Sequence, residues 1–314
     1  MQAENKCTAC GDPVKETWKV CPMCGQPLAR LACPACGAEV QAAWKLCPEC
    51  GVRLTCPTCG RRILPGESTC RACAAPASAT DPGRIVEPVT GMELVRIPAG
   101  AFEMGDLFGD GWDNETPPLA VQVEAFYLGR TPVTQAQWEA VMGSNPSLYQ
   151  RGGAHPVEQV SWTDVNEFLD RLNAASSGST RFRLPGEAEW EYAARSGGKK
   201  ELYAGGDRID LVAWTAETSQ GSTRPVGQKQ PNGLGLYDMS GNVWEWCRDV
   251  YVPNAAAGAA RKPGGGITER VIRGGSWSLD DWSARCSRRF GFPEDYFGAG
   301  LGFRVAADWN PSQK

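Results

Sequence analysis

Twelve of the 14 cysteines in this 314-residue chain lie before residue 74, and their spacing carries the clearest chemistry. Cys7, Cys10, Cys21 and Cys24 form one set, Cys33, Cys36, Cys47 and Cys50 a second, and Cys56, Cys59, Cys70 and Cys73 a third. Every set reads C-x2-C-x10-C-x2-C, which is an internal repeat. Two residues between thiolates let a tight turn aim both sulfurs at one tetrahedral ion. Zinc is the expected ion for four cysteines, so three ions are expected. Four protein sulfurs leave no position for water, so these ions should be structural and not catalytic. The opening residues, MQAENKCTACGD, lack the basic and apolar stretches of a secretory signal. A disulfide scaffold is therefore the weaker reading, and a reducing cytoplasm is expected.

The elements that must aim these sulfurs are small. CPMCG at 21–25, CPACG at 33–37 and CPECG at 47–51 supply the turns, each with a glycine after the second thiolate. Trp18 and Trp44 occupy equivalent places and cover the first two units, whereas Glu67 stands there in the third. Such segments resemble zinc ribbons. They are too short to fold by apolar burial alone, so metal should supply the folding free energy. The expected units are 1–29, 30–54 and 55–76, followed by a Pro-rich linker over 77–90 and one domain over 91–310. A protein or nucleic-acid partner for the ribbons is possible on this reading, and the sequence does not choose. Net charge is −4, which argues against general phosphate-backbone binding. No run of about 18 apolar residues exists, so no membrane span is expected.

Beyond residue 91 the pattern becomes that of a mixed domain. MELVRIPAGAFEMGD predicts two short strands about a Pro-Ala-Gly turn, and VQVEAFYLGRTPV has strand alternation. TQAQWEAVM predicts a helix with Thr134 as N-cap. SWTDVNEFLDRLNAAS predicts another, with Ser161 and Asp164 as a capping box and Trp162, Val165, Phe168, Leu169 and Leu172 on one face. PGEAEWEYAARSGG predicts a third, begun by Pro185 and closed by Gly197. Its Glu187, Glu189 and Glu191 read as surface and capping charges, with Glu191 able to pair with Arg195. After residue 200 periodicity fades. In NGLGLYDMSGNVWEW, Asp238, Asn242 and Glu245 supply hard oxygens suited to calcium.

GMELVRIPAGAFEMGD, FYLGRTPVTQAQW, HPVEQVSWTDVNEF, RLPGEAEWEYAAR, GLYDMSGNVWEW, RVIRGGSW and GLGFRVA follow the order of the formylglycine-generating enzyme (sulfatase-modifying factor) family, which this region resembles over roughly 92–306. The resemblance implies an α+β, C-type-lectin-like fold with little regular structure, and a bacterial source. It implies calcium held by the Asp238 side chain, the Gly241 and Val243 carbonyls and the Glu245 carboxylate. It also implies, for the enzymes, copper held by two cysteines after the Gly-Gly-Ser motif, since a soft thiolate pair suits Cu(I). Alignment from Gly274-Gly275-Ser276 puts those positions near Leu279 and Ala284. Alignment from Arg289 puts them near Ser276 and Asp281. Neither register offers cysteine. Cys247 and Cys286 read as small core residues. The single histidine, His155, excludes a three-histidine iron site by counting and reads as structural.

What lies between Trp277 and Gly302 is rich in rings and carboxylates: Ser278, Leu279, Asp280, Asp281, Trp282, Phe290, Phe292, Glu294, Asp295, Tyr296, Phe297 and Ala299. Such a mixture suits a binding face. The framework around it, RGGSW…R…R…P…GFR, resembles that of variable proteins of diversity-generating retroelements, in which the intervening positions are diversified and bind ligand. Trp282 and Glu294 lie outside what mutated AAC or AAT codons can encode and count slightly against diversification. The expected function is non-catalytic ligand binding, with a protein as ligand. The alternatives are a formylglycine-type copper oxidase with relocated ligands, or a scaffold module docked through its ribbons.

Overall fold

The computed structural model describes residues 31–32, 39–40, 83–176, 180–253 and 267–309. The twelve cysteines of the three sets, Trp18, Trp44, Glu67 and residues 77–82 of the expected linker lie outside the described residues. The rest of that span is not a linker, since Arg84–Val86 is a strand paired with Glu93, Leu94 and Val95, and Glu87 is buried. The chain divides into two compact units, Met1–Ser78 and Ala79–Lys314. In the first, β1 (Leu31–Ala32) and β2 (Glu39–Val40) pair antiparallel.

The second unit is built around two sheets and two apolar clusters. Strands β3 (Arg84–Val86), β4 (Glu93–Ile97), β7 (Phe126–Gly129), β8 (Phe182–Arg183) and β13 (Ala306–Asp308) form an antiparallel sheet in the order β3-β4-β7-β13-β8. Strands β5 (Gly100–Met104) and β6 (Leu119–Val123) form a separate hairpin. The predicted strand at 121–133 is thus two strands, broken at Glu124–Ala125. The remaining sheet has the order β11-β10-β9-β12, from β9 (Trp244–Val250), β10 (Glu269–Arg273), β11 (Arg289–Pro293) and β12 (Leu301–Gly302), with only β12 parallel to its neighbour.

Period-2 alternation explains how this second sheet is buried on both faces. Trp246 and Ile272 enter one cluster with Trp138, Phe168 and Phe303. Their chain neighbours Cys247 and Val271 enter the other with Ile97, Phe126, Trp190 and Cys286. Helix α1 (Gln135–Met142) and helix α2 (Trp162–Ala175) cover the first cluster, and α3 (Glu187–Ala194) covers the second. A one-turn helix, α4 (Ile209–Val212), follows. Capping is as the local sequence predicts. Thr134 accepts from Gln137 N–H, Ser161 accepts from Asp164 N–H, and both reciprocal bonds form. Helix α3 begins at Glu187, two residues after the expected proline, with Gly186 as its N-cap, and is capped by Arg195 before Gly197.

The expectation of a surface role for the α3 glutamates needs correction. Glu191 is wholly buried and Glu187 nearly so. The predicted Glu191–Arg195 pair forms at 2.9 Å, but inside the core. Glu191 also receives Arg273 from β10 and the Gly105 N–H. Glu187 receives both arms of Arg289, at 2.7 and 2.9 Å. Two further buried pairs follow the same plan: Arg285 with Glu115 at 3.0 Å, and Arg304 with both oxygens of Glu245 at 2.6 Å. Burying charge is costly unless each group is paired and bonded, so these pairs fix position more than they add net stability. Replacing Glu191 by Ala leaves Arg195 without a carboxylate in the core and Arg273 with only Glu187, at 3.6 Å. It should lower unfolding free energy by about 3–5 kcal/mol, read from urea unfolding of the full chain.

Candidate ligand-binding face

From β10 the chain passes through Gly274 and Gly275, both at positive φ, 96° and 76°. A Cβ at Gly275 would meet the Ser283 carbonyl at 2.5 Å, so this turn admits only glycine. Asp280 then caps a short 3-10 turn, Asp281–Ala284, accepting from the Ser283 N–H at 3.1 Å and its hydroxyl at 2.9 Å. Residues Ala284 to Arg289 dive into the core. Arg273 donates to the carbonyls of Cys286, Ser287 and Arg288, at 3.0, 2.8 and 3.0 Å, and so grips this segment through its backbone.

The predicted face is only partly one surface. Phe290, Phe292 and Tyr296 do come together. Phe292 stacks on Tyr296 with centroids 4.1 Å apart, Phe290 meets Phe292 edge-on at 5.4 Å, and Tyr251 extends the row at 6.4 Å from Phe290. Phe290 and Phe292 share a strand face by alternation on β11, the edge strand of its sheet. Phe290, Tyr296 and Phe297 are exposed, while Phe292 packs partly on the core. Glu294 pairs with Arg270 at 2.8 Å, and that guanidinium stacks on Trp162 at 4.0 Å. Asp295 is exposed.

The other predicted residues sit apart from this row. Trp282 is exposed and lies over Arg285, 4.6 Å from its guanidinium carbon. Ser278 is exposed, its hydroxyl 3.2 Å from that of Ser276. Leu279 packs partly on the core and accepts from the Ala216 N–H at 2.8 Å. Ala299 accepts from the Trp277 indole at 2.8 Å. Tyr251 and Trp112 were outside the sequence-based set. Trp112 is exposed, and Arg288 stacks on it at 4.2 Å. The signal available was a large ring in the Gly- and Asp-rich run DLFGDGWDNE.

The positions expected for copper-binding cysteines hold Leu279, partly buried, and Ala284, buried, in one register, and Ser276, buried, and Asp281, partly buried, in the other. Cys247 and Cys286 are free and wholly buried. Burial pushes the Cys286 thiol up to about 12, with Glu191 and Glu201 adding to it. Burial also raises Cys247, joined by Asp249 and Glu187. Thiols held neutral are poor nucleophiles and poor metal ligands. His155 bonds the Thr223 hydroxyl at 3.1 Å. Burial, with Arg151 and Arg224, lowers its pKa, consistent with a neutral structural imidazole.

The residues expected to hold calcium were tested against their neighbours. Asp238 is buried at φ 54°, and its carboxylate accepts from the Gly227 N–H at 2.7 Å. Burial raises its pKa to about 6. Glu245 gives both oxygens to Arg304 and also accepts from the Trp190 indole at 2.6 Å. As arranged, its carboxylate is occupied by protein donors and the set does not fit the ion. Among the described residues no group of three or more His, Cys, Asp or Glu is placed to hold a metal.

An irregular α+β domain of this kind, with short sheets and a long ordered C-terminal loop, has the C-type-lectin-like fold. Residues 85–309 match the sulfatase-modifying factor enzyme 1-like domain, and the chain belongs to that family. Residues 7–51 match the double zinc ribbon. The formylglycine-generating enzyme of Streptomyces coelicolor is 34% identical, over 74% of this chain and 95% of that protein. The chaperone protein LppX of Paenibacillus barcinonensis is 32% identical, over 68% of this chain and 88% of that one. Among solved structures, Treponema denticola variable protein 1 superposes with a TM-score of 0.61 and 27% identity, covering 72% of this chain and 98% of that one. No helix among the described residues is long and apolar enough to cross a membrane.

One buried carboxylate sets a pH dependence. Glu158 is wholly buried in the strand of chain leading to α2. One of its oxygens accepts from the Tyr149 N–H at 2.7 Å and the other has no partner. Burial raises its pKa from 4.5 to about 7. The unfolded chain loses this proton near 4.5 while the folded chain keeps it. Stability from this group is therefore full below 4.5 and falls as pH rises to about 7, by roughly 3 kcal/mol. Glu158→Gln should flatten the fall between those pH values, measured by urea unfolding across that range.

Proposed function

We propose that the protein is a non-catalytic binding protein whose C-terminal face, about 276–300, contacts a protein ligand. The observation that carries this reading is the exposed ring row beside Phe290 and Tyr296, on a backbone anchored from below by Arg273 and Arg289. Aromatic rings on a rigid base contribute large contact area at little entropic cost. The lack of cysteine at the copper-ligand positions in either register, and two thiols held neutral in the core, favour binding over oxygen chemistry. The likeness to a variable protein supports the same use of the fold. Diversification of the segment is part of this proposal and is read from flanking DNA: a reverse transcriptase with a template repeat of the 3′ end supports it.

The N-terminal region is proposed to bind three zinc ions, the third at Cys56, Cys59, Cys70 and Cys73, and to dock the protein onto a partner in a reducing cytoplasm. Atomic emission on the purified chain should give three zinc ions, and chelation should unfold the ribbons.

For the binding face, peptides selected from a random library on the immobilised full chain should lose retention by about tenfold or more when Phe290, Tyr296 and Phe297 are together changed to Ala, with the thermal midpoint retained. Retention by the triple variant refutes the assignment. Incubation with copper and a cysteine-containing sulfatase-type peptide tests the alternative drawn from the enzyme relative. Loss of mass to the aldehyde establishes an oxidase; an unchanged peptide supports the binding reading.

A further inference from the structure

We propose that the loop bearing Trp112 and the turn bearing Trp282 form a second half of the ligand face, and that this half receives a basic segment of the partner protein. The inference rests on the binding reading above and adds to it a region and a ligand chemistry. Trp112 is 58% exposed and Trp282 48%, and the two lie far apart in sequence. Each ring rests one face on a buried guanidinium, Trp112 on Arg288 at 4.2 Å and Trp282 on Arg285 at 4.6 Å. Both guanidiniums meet the same oxygen of Glu115, at 3.0 Å from Arg285 and 3.5 Å from Arg288. That oxygen also accepts from the Trp112 N–H at 3.4 Å. One buried carboxylate thus gathers both indoles onto one surface and holds them there. Rings fixed before binding lose little freedom on contact, which is the property of an interface anchor.

Exposed acidic groups predominate around these rings. Asp110, Asp113 and Asp280 are exposed, and Asp281 is partly so. Arg285 and Arg288 are buried beneath the rings and already paired with Glu115, and Arg285 also with Asp110 at 3.1 Å. Burial first, then Asp281, Asp110 and Asp207, push the Tyr203 phenol up, with Arg285 opposing, so these carboxylates act on a common neighbour. Lys200, stacked on Phe108 at 4.9 Å, is the cation on the flank. Lysine or arginine on a partner gains attraction to this rim and ring contact in the same position. The ring row at Phe290 differs: Arg270 and Glu294 beside it neutralise each other and Asp295 is the one exposed charge within 290–297, so it suits a mainly apolar part of the same partner.

The test uses a random peptide library displayed on phage and the immobilised full chain. The retained peptides should be enriched in Lys and Arg and should elute at about 0.5 M salt. Trp112→Ala and Trp282→Ala should each reduce retention at least about fivefold, and the double Asp113→Asn, Asp281→Asn variant should reduce the salt sensitivity. These residues are exposed or half-exposed, so thermal midpoints should hold and confirm folded variants. Selection without basic enrichment, or no selection at all, overturns the proposal. So does full retention by Trp112→Ala. Loss of retention in the Phe290, Tyr296, Phe297 triple variant, with Trp112→Ala neutral, leaves the face reading standing and removes this one.

Discussion

Four buried arginine–glutamate pairs hold the C-terminal third of this domain in register with the rest. Arg273, Arg285, Arg289 and Arg304 all come from the last elements of the chain. Their partners, Glu191, Glu115, Glu187 and Glu245, come from α3, the loop before β6, and β9. A guanidinium has five donors in a rigid fork and cannot shed its charge, so a buried arginine accepts few placements. Each pair therefore dictates a geometry where apolar packing would tolerate several. The side chains also reach past their partners to carbonyls: Arg304 to Gly129 and Tyr237, Arg289 to Asn114 and Val252. A domain with short strands and long loops needs such point fixtures, because its ladders alone cannot set the path of the chain.

This construction explains why the chemistry of the site is confined to its outer surface. The segment after the Gly-Gly turn enters the core at Ala284 and leaves it at Phe290. Within it Arg273 holds the backbone oxygens of Cys286, Ser287 and Arg288 and the Ser240 hydroxyl that of Ala284, and its one thiol is neutral and enclosed. What faces outward is a set of rings and carboxylates on either side of that buried stretch. The domain shares its fold with a variable protein and its family with an enzyme, and the fold itself is silent between them. The difference lies in which side chains stand at a handful of positions along one loop.

Local features were legible in the sequence, and distant ones were not. The caps at Thr134 and Ser161 need only residues three apart, so the first two helices could be read directly. Glu191 looked like a surface residue because its i,i+4 partner Arg195 was visible while Arg273, 82 residues away, was not. Glu245 looked like a metal ligand for the same reason, its fork from Arg304 lying 59 residues on. The ring face was half legible. The Phe290 and Phe292 alternation marks a strand, but Tyr251 joins that row only through tertiary folding. The family resemblance supplied the fold where periodicity had faded.

Arg273 grips the segment by carbonyls, and every residue has a carbonyl. The anchor is thus indifferent to which side chains the neighbouring outward positions carry. Phe290 lies two residues beyond the gripped carbonyls, and its exposed ring takes no part in the grip. The hold on this stretch is written in main-chain oxygens, and the exposed side groups beside it carry none of it.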